Sequence, residues 1–264
     1  MNNLNSEAQK NAHYLYCVAE NPDGRELFTA LVGIEGESAY PIVYRDIVIV
    51  AHNTLPQIVA PEDEQRVLAA VLCHEKVIEE VGSRYASTLP FAFNTIVKGL
   101  EGESAKASLI KWLSDNYDSL QTKLARVRDK KEYIVTIALD CRVIGSELVV
   151  TDAELKEFQE TIAASSRGRA FFIREKMQAV LKDKIAGYAD ELFHEIYPQL
   201  TALVSEHRVE KAKPESKDQV VLMKVACLAD NAQVDGLGAA LDKLMQRPGI
   251  NVTFSGPWPP YSFT

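Results

Sequence analysis

The pair His74–Glu75 has the residue types for metal-assisted hydrolysis, a zinc ligand beside a general base. That chemistry needs a second histidine one helical turn on, and position 78 is Ile. His74 instead falls on an apolar stripe with Val67, Val71, Ile78 and Val81. That position predicts a partly buried, hydrogen-bonded helix histidine, with a pH-sensitive or ligand role as the alternative. Glu75 is expected on the solvated face, near Lys76 and Arg84. The other histidines, 13, 52, 194 and 207, do not cluster. The cysteines at 17, 73, 141 and 227 form no CxxC pair, which leaves them as small hydrophobes of a reducing compartment. Gly236-Leu237-Gly238 lies inside a helical pattern and lacks the third glycine of a dinucleotide fingerprint. There is no phosphate-loop lysine motif and no nucleophile elbow. An enzyme would need a site assembled from residues distant in sequence.

The segment Pro257-Trp258-Pro259-Pro260-Tyr261, with Phe263 after it, could do chemistry of another kind, namely recognition. Consecutive prolines hold the backbone extended, and Trp and Tyr are favoured anchors at protein interfaces. Trp258, Pro259, Pro260, Tyr261 and Phe263 are therefore the candidate partner-binding residues. The competing reading has Trp258, Tyr261 and Phe263 folding back to cap the core; the two readings are compatible.

Around these residues the hydrophobic pattern predicts α+β structure in two domains. Residues 1–11 read as a disordered tail. His13 to Ala19 reads as a strand, Asn21–Gly24 as a turn and Arg25 to Val32 as a short helix. Tyr40–Tyr44 and Ile47–Ala51 make a hairpin turning at Arg45–Asp46. Glu62 to Tyr85 is a helix opened by Pro61 and acidic residues, Pro90 to Val97 a strand, and Ser104 to Lys123 a helix. The charged stretch Arg126–Glu132 marks a boundary. Beyond it come a strand at Tyr133–Leu139, a helix capped by Thr151, and a helix over Phe171–Val204, roughly 50 Å long and kinked at Pro198. That length exceeds what one small sheet covers, so part of it is free to pair with a partner. A hairpin (Val209–Lys211 with Val220–Leu228), a helix at Asn231–Met245 and a strand at Ile250–Phe254 complete the chain. The expected domains are an N-terminal α+β domain over 12–126 with a smaller antiparallel sheet, a ferredoxin-like βαββαβ domain over 132–255, and the aromatic tail 256–264. GIEGESA at 33–39 and GLEGESA at 99–105 precede different elements, so the likeness carries no repeat.

A net charge of −8 and a pI near 5.3 argue against a general nucleic-acid surface. No apolar run reaches membrane-span length and Met1–Asn11 has no signal core, which predicts a cytoplasmic protein. Five segments, YLYCV at 14–18, CHEKVIEEV at 73–81, LPFAFNTIVKG at 89–99, GRAFFIREKM at 168–177 and GPWPPYSF at 256–263, resemble the gas vesicle protein GvpL/GvpF family over nearly the whole chain. Ala92 and Asn94 stand where that family often has arginine and glycine, and Lys224 and Cys227 interrupt a segment usually more uniformly apolar. The resemblance implies a non-enzymatic role at the gas vesicle, with no cofactor. It implies binding to the hydrophobic shell protein GvpA and to other accessory proteins during nucleation, which limits aggregation. It leaves open retention in the vesicle wall, a chaperone-like cytosolic role, and which of the two branches, F or L, the chain follows.

Overall fold

The computed structural model describes residues 11–21, 30–56, 64–100 and 102–264. The chain divides into two compact units, Met1–Glu132 together with Pro257–Thr264, and Tyr133–Gly256. The first therefore contains both ends of the described chain.

In the first unit, strands β1 (Ala12–Glu20), β2 (Leu31–Val32), β3 (Ser38–Tyr44), β4 (Ile47–Thr54), β5 (Thr88–Pro90) and β6 (Ile96–Lys98) form one sheet, ordered β2-β3-β4-β1-β5, with β6 also on β1. All the β1 pairings are antiparallel. Every residue of β1 from Ala12 to Ala19 is buried, so both faces of this strand are covered. Helix α1 (Glu64–Gly82) buries Ala70, His74, Val77, Ile78 and Val81; helix α2 (Ala105–Val127) buries Leu109, Leu113, Leu120 and Leu124. The register of β1 against β4 shifts between Leu15 and Cys17. A one-residue shift flips which face side chains meet. Tyr14 before the shift and Tyr16 at it thus join Cys17 and Ala19 after it in one core, with Val48, Val50, Val77 and Ile78.

The second unit holds β7 (Lys131–Asp140), α3 (Cys141–Thr151), α4 (Ala153–Ala163), α5 (Arg167–Thr201), β8 (Glu206–Val209), β9 (Gln219–Ala229), α6 (Asn231–Met245) and β10 (Ile250–Trp258), with strand order β10-β7-β9-β8. The core joins Val135, Ile137 and Leu139 of β7, Val225 and Cys227 of β9, Leu237 and Leu241 of α6, and Ile185, Leu192 and Ile196 of α5. Three helices begin on aspartates. Asp140 accepts the amide of Arg142, Asp152 accepts those of Glu154 and Leu155, and Asp230 closes a capping box with Gln233.

Several expectations change. Leu31–Val32 is a strand, not the end of a helix; Arg25–Thr29, like the tail 1–10, most of the Asn21–Gly24 turn and the helix opening at Pro61–Asp63, lies outside the described residues. The expected strand Pro90–Val97 is two short strands separated by a turn in which Asn94 has φ 68°. The N-terminal sheet is the larger of the two, not the smaller, because β2, β5 and β6 are too short to show a period in sequence. Asp152, not Thr151, caps the helix over 153–163, and Thr151 ends an unforeseen helix, α3, whose run of Val and Ile reads as strand. Helix α5 begins at Arg167, and Pro198 is accommodated within its last turn. The charged stretch Arg126–Glu132 carries an apolar anchor, Val127, buried at the end of α2.

Candidate partner-binding site

The tail residues are placed by β10, whose end leads into a short 3-10 turn over Tyr261–Phe263. Two prolines have no amide to donate, so the turn is closed from downstream: Tyr261 N–H donates to Pro259 O (2.8 Å) and Phe263 N–H to Pro260 O (3.1 Å). Pro259 and Pro260 are buried, and Phe263 is 0% exposed. The guanidinium of Arg126 lies 5.8 Å from the Phe263 ring centre, within cation–π range.

Two carboxylates on the body of the first unit receive the tail. The Tyr261 hydroxyl donates to Glu75 Oε1 (2.6 Å). The Ser262 amide and hydroxyl donate to the two oxygens of Glu132 (2.8 and 2.7 Å). Glu132 is 4% exposed, and a buried carboxylate is tolerated only when its lone pairs are satisfied. Burial, and then the bond to Glu75, push the Tyr261 phenol well above its ordinary range. Glu75 thus meets the tail, not Lys76 or Arg84; Arg84 pairs with Glu80 (2.7 Å). Trp258 is the candidate that keeps a large open face, at 44% exposure. It borders a groove lined by Ile78, Glu79 and Gly82 of α1 and by Lys130 and Lys131, the Lys131 ammonium donating to Gly82 O (3.2 Å).

Beneath the tail, four rings interlock. Tyr14 stacks on His52 (5.0 Å between ring centres), and Tyr16 on His74 (5.4 Å). The hydrogen bonds cross the stacks: Tyr14 to His74 Nδ1 (3.0 Å), and Tyr16 to His52 Nδ1 (2.8 Å). Phe91 O can only accept, so His74 Nε2 carries the proton that reaches it (3.1 Å). Neutral His74 then takes the Tyr14 proton at Nδ1, while Tyr14 accepts the Asn94 amide (3.0 Å). Burial pushes the His74 imidazolium below its ordinary range, with the Phe91 carbonyl partly opposing that. The arrangement is a lattice of interlocked, hydrogen-bonded rings. Among the described residues no three His, Cys, Asp or Glu side chains converge to hold a metal, and no helix is long and apolar enough to cross a membrane.

Residues 12–264 match the family model described as gas vesicle synthesis protein GvpL/GvpF. The chain belongs to this family. Among GvpL/GvpF relatives, gas vesicle protein L1 of Halobacterium salinarum is 25% identical, with 96% of this chain and 90% of that protein aligned. Gas vesicle protein F of a Streptomyces species is 26% identical over 77% of this chain and 81% of its own length. The fold matches the crystal structure of the gas vesicle protein GvpF from Anabaena sp. PCC7120. The TM-score is 0.71 at 15% identity, covering 96% of this chain and 98% of that one. GvpF from Microcystis aeruginosa gives 0.63 at 16% identity.

The departures from the family pattern acquire a physical account. Asn94, where the resemblance leads one to expect glycine, takes a left-handed backbone (φ 68°), which glycine adopts freely and asparagine tolerates best among other residues. Lys224 is paired with Glu210 (2.8 Å), and Cys227 is buried in the core as a small hydrophobe. Of the residues this site depends on, Glu75 stood in the incomplete His74–Glu75 pair and Tyr14 and Tyr16 in the segment YLYCV, whose alternation puts both rings on one strand face; His52 and Glu132 lay in no motif.

Proposed function

We propose that this GvpL/GvpF chain acts without catalysis, binding other gas vesicle proteins during vesicle nucleation and assembly. Its partners include the hydrophobic shell protein GvpA, whose premature aggregation it limits in the cytoplasm and at the nascent vesicle. The observation that carries this reading, beside family membership, is the tail. Trp258 is held open at the surface by buried Pro259, Pro260 and Phe263, and by Tyr261 bonded to Glu75. An aromatic anchor whose backbone is already fixed loses little conformational freedom on binding. Trp258 makes the contact, and Pro259, Pro260, Tyr261 and Phe263 brace it. For the second unit we infer a ferredoxin-like sandwich, supported by strand order β10-β7-β9-β8.

Co-expression with GvpA and pull-down on this chain tests the reading. Capture by the wild-type chain, reduced severalfold by a Trp258→Ala variant that remains folded, is expected. Undiminished capture by Trp258→Ala removes the tail from the contact; no capture by a folded wild-type chain removes GvpA as partner.

A further inference from the structure

Helices α4 and α5 form a hairpin with a thin core of its own. Helix α4 buries only Leu155, and α5 buries nothing between Ala170 and Ile185. Helical segments of this length are marginal without a packed face. The base is pinned by Lys184, which reaches both Asp152 (2.8 Å) and Glu154 (3.1 Å). Towards the start of α5, Phe171 and Phe172 are 58% and 70% exposed and meet edge to face. Adjacent open aromatics of this size on a structured helix mark an interaction surface.

A groove runs between the two helices. Phe158, Phe172 and Ile173 line it, with Glu157 on the α4 bank and Arg169 and Lys176 on the α5 bank. These three charged side chains make no ion pair among the described residues. The surface thus offers, side by side, an acidic bank, an apolar trough with a protruding ring, and a basic bank. Turned by a two-fold rotation, such a surface meets its own complement: acid faces base, and the ring faces the trough. The acidic bank also disfavours an anionic lipid surface as occupant.

We propose that the α4–α5 hairpin is a self-docking surface. A second copy of the chain lies antiparallel across it, seats Phe172 in the trough and sets Glu157 against Arg169 and Lys176, completing a four-helix arrangement. The area offered is modest, so the dimer is weak and reversible.

Sedimentation velocity of the full chain over a concentration series tests this. The expected result is a monomer–dimer equilibrium that weakens with added salt, since the matching charges are exposed. Phe171→Ser with Phe172→Ser should weaken it by roughly tenfold or more without moving the unfolding midpoint, because both rings are open in the monomer. Glu157→Arg alone, and Arg169→Glu with Lys176→Glu, should each lose self-association, and mixing the two should restore a heterodimer. A wild-type chain that stays monomeric throughout the series overturns the proposal. So does a dimer indifferent to both the serine and the charge variants. A monomer whose GvpA capture falls with the serine variant assigns the groove to another protein and likewise overturns it.

Discussion

Phe263 and Trp258 lie in one short segment yet differ in what surrounds them, and substitution should separate them. Phe263→Ala empties a fully buried ring site and is expected to cost ~3–5 kcal/mol. Trp258→Ala, at a half-open position, should cost about 1 kcal/mol or less. Thermal denaturation of the two variants checks the order. Tyr261→Phe removes the donor to Glu75 and should cost ~1–2 kcal/mol. His74 gives a pH prediction. Its folded pKa lies below the ordinary 6.5, so the native state holds it neutral while the unfolded chain gains a proton more readily. Its contribution is complete above about pH 6.5 and is lost as pH falls through that value towards the folded pKa. His13, also depressed by burial, adds in the same direction. Urea midpoints measured from pH 7.5 to 5 should fall, and His74→Gln should flatten the slope.

At the scale of elements, the long periodic helices were legible. Asn231–Met245 carries its own capping box and repeating apolar positions, and its ends coincide with those expected from sequence. The hairpin at Arg45–Asp46 was also readable, although Arg45 takes φ 53° where asparagine or glycine is the usual choice. What escaped was set by partners far along the chain. Strands β5 and β6 exist because β1 offers its edge to residues far along the chain, as in Ala19 with Thr88 and Ala12 with Lys98, and three-residue strands show no period. The turn between them makes a direct prediction: Asn94→Val should cost ~1–2 kcal/mol and Asn94→Gly much less, as read by chemical denaturation. Gly249 makes a second. It combines φ 72° with Ile144 Cδ1 only 2.8 Å from where a Cβ would stand, so Gly249→Ala should be destabilising by ~1–3 kcal/mol.

For the whole molecule, the consequential fact is that the chain's last residues complete the unit built by its first. The tail was recognisable as distinctive from its prolines and aromatics. Its receivers were not, because Glu75 reads as a solvated helix carboxylate and Glu132 as part of a charged stretch; both are recruited only when the tail returns. Truncation after Gly256 should therefore speed amide exchange in β1 and α1, which lie under the tail, and leave protection in β9 and α6 unchanged. Equal protection of β1 and α1 in the truncated and full chains would show that the tail is dispensable to that core.

The role proposed for this GvpL/GvpF chain is handling of the hydrophobic shell protein GvpA during vesicle assembly. The most direct test is sedimentation of GvpA produced with and without this chain, at matched expression. A larger soluble fraction of GvpA in its presence, lowered again by Trp258→Ala, is the predicted result. An unchanged pellet beside abundant, folded chain would contradict the claim.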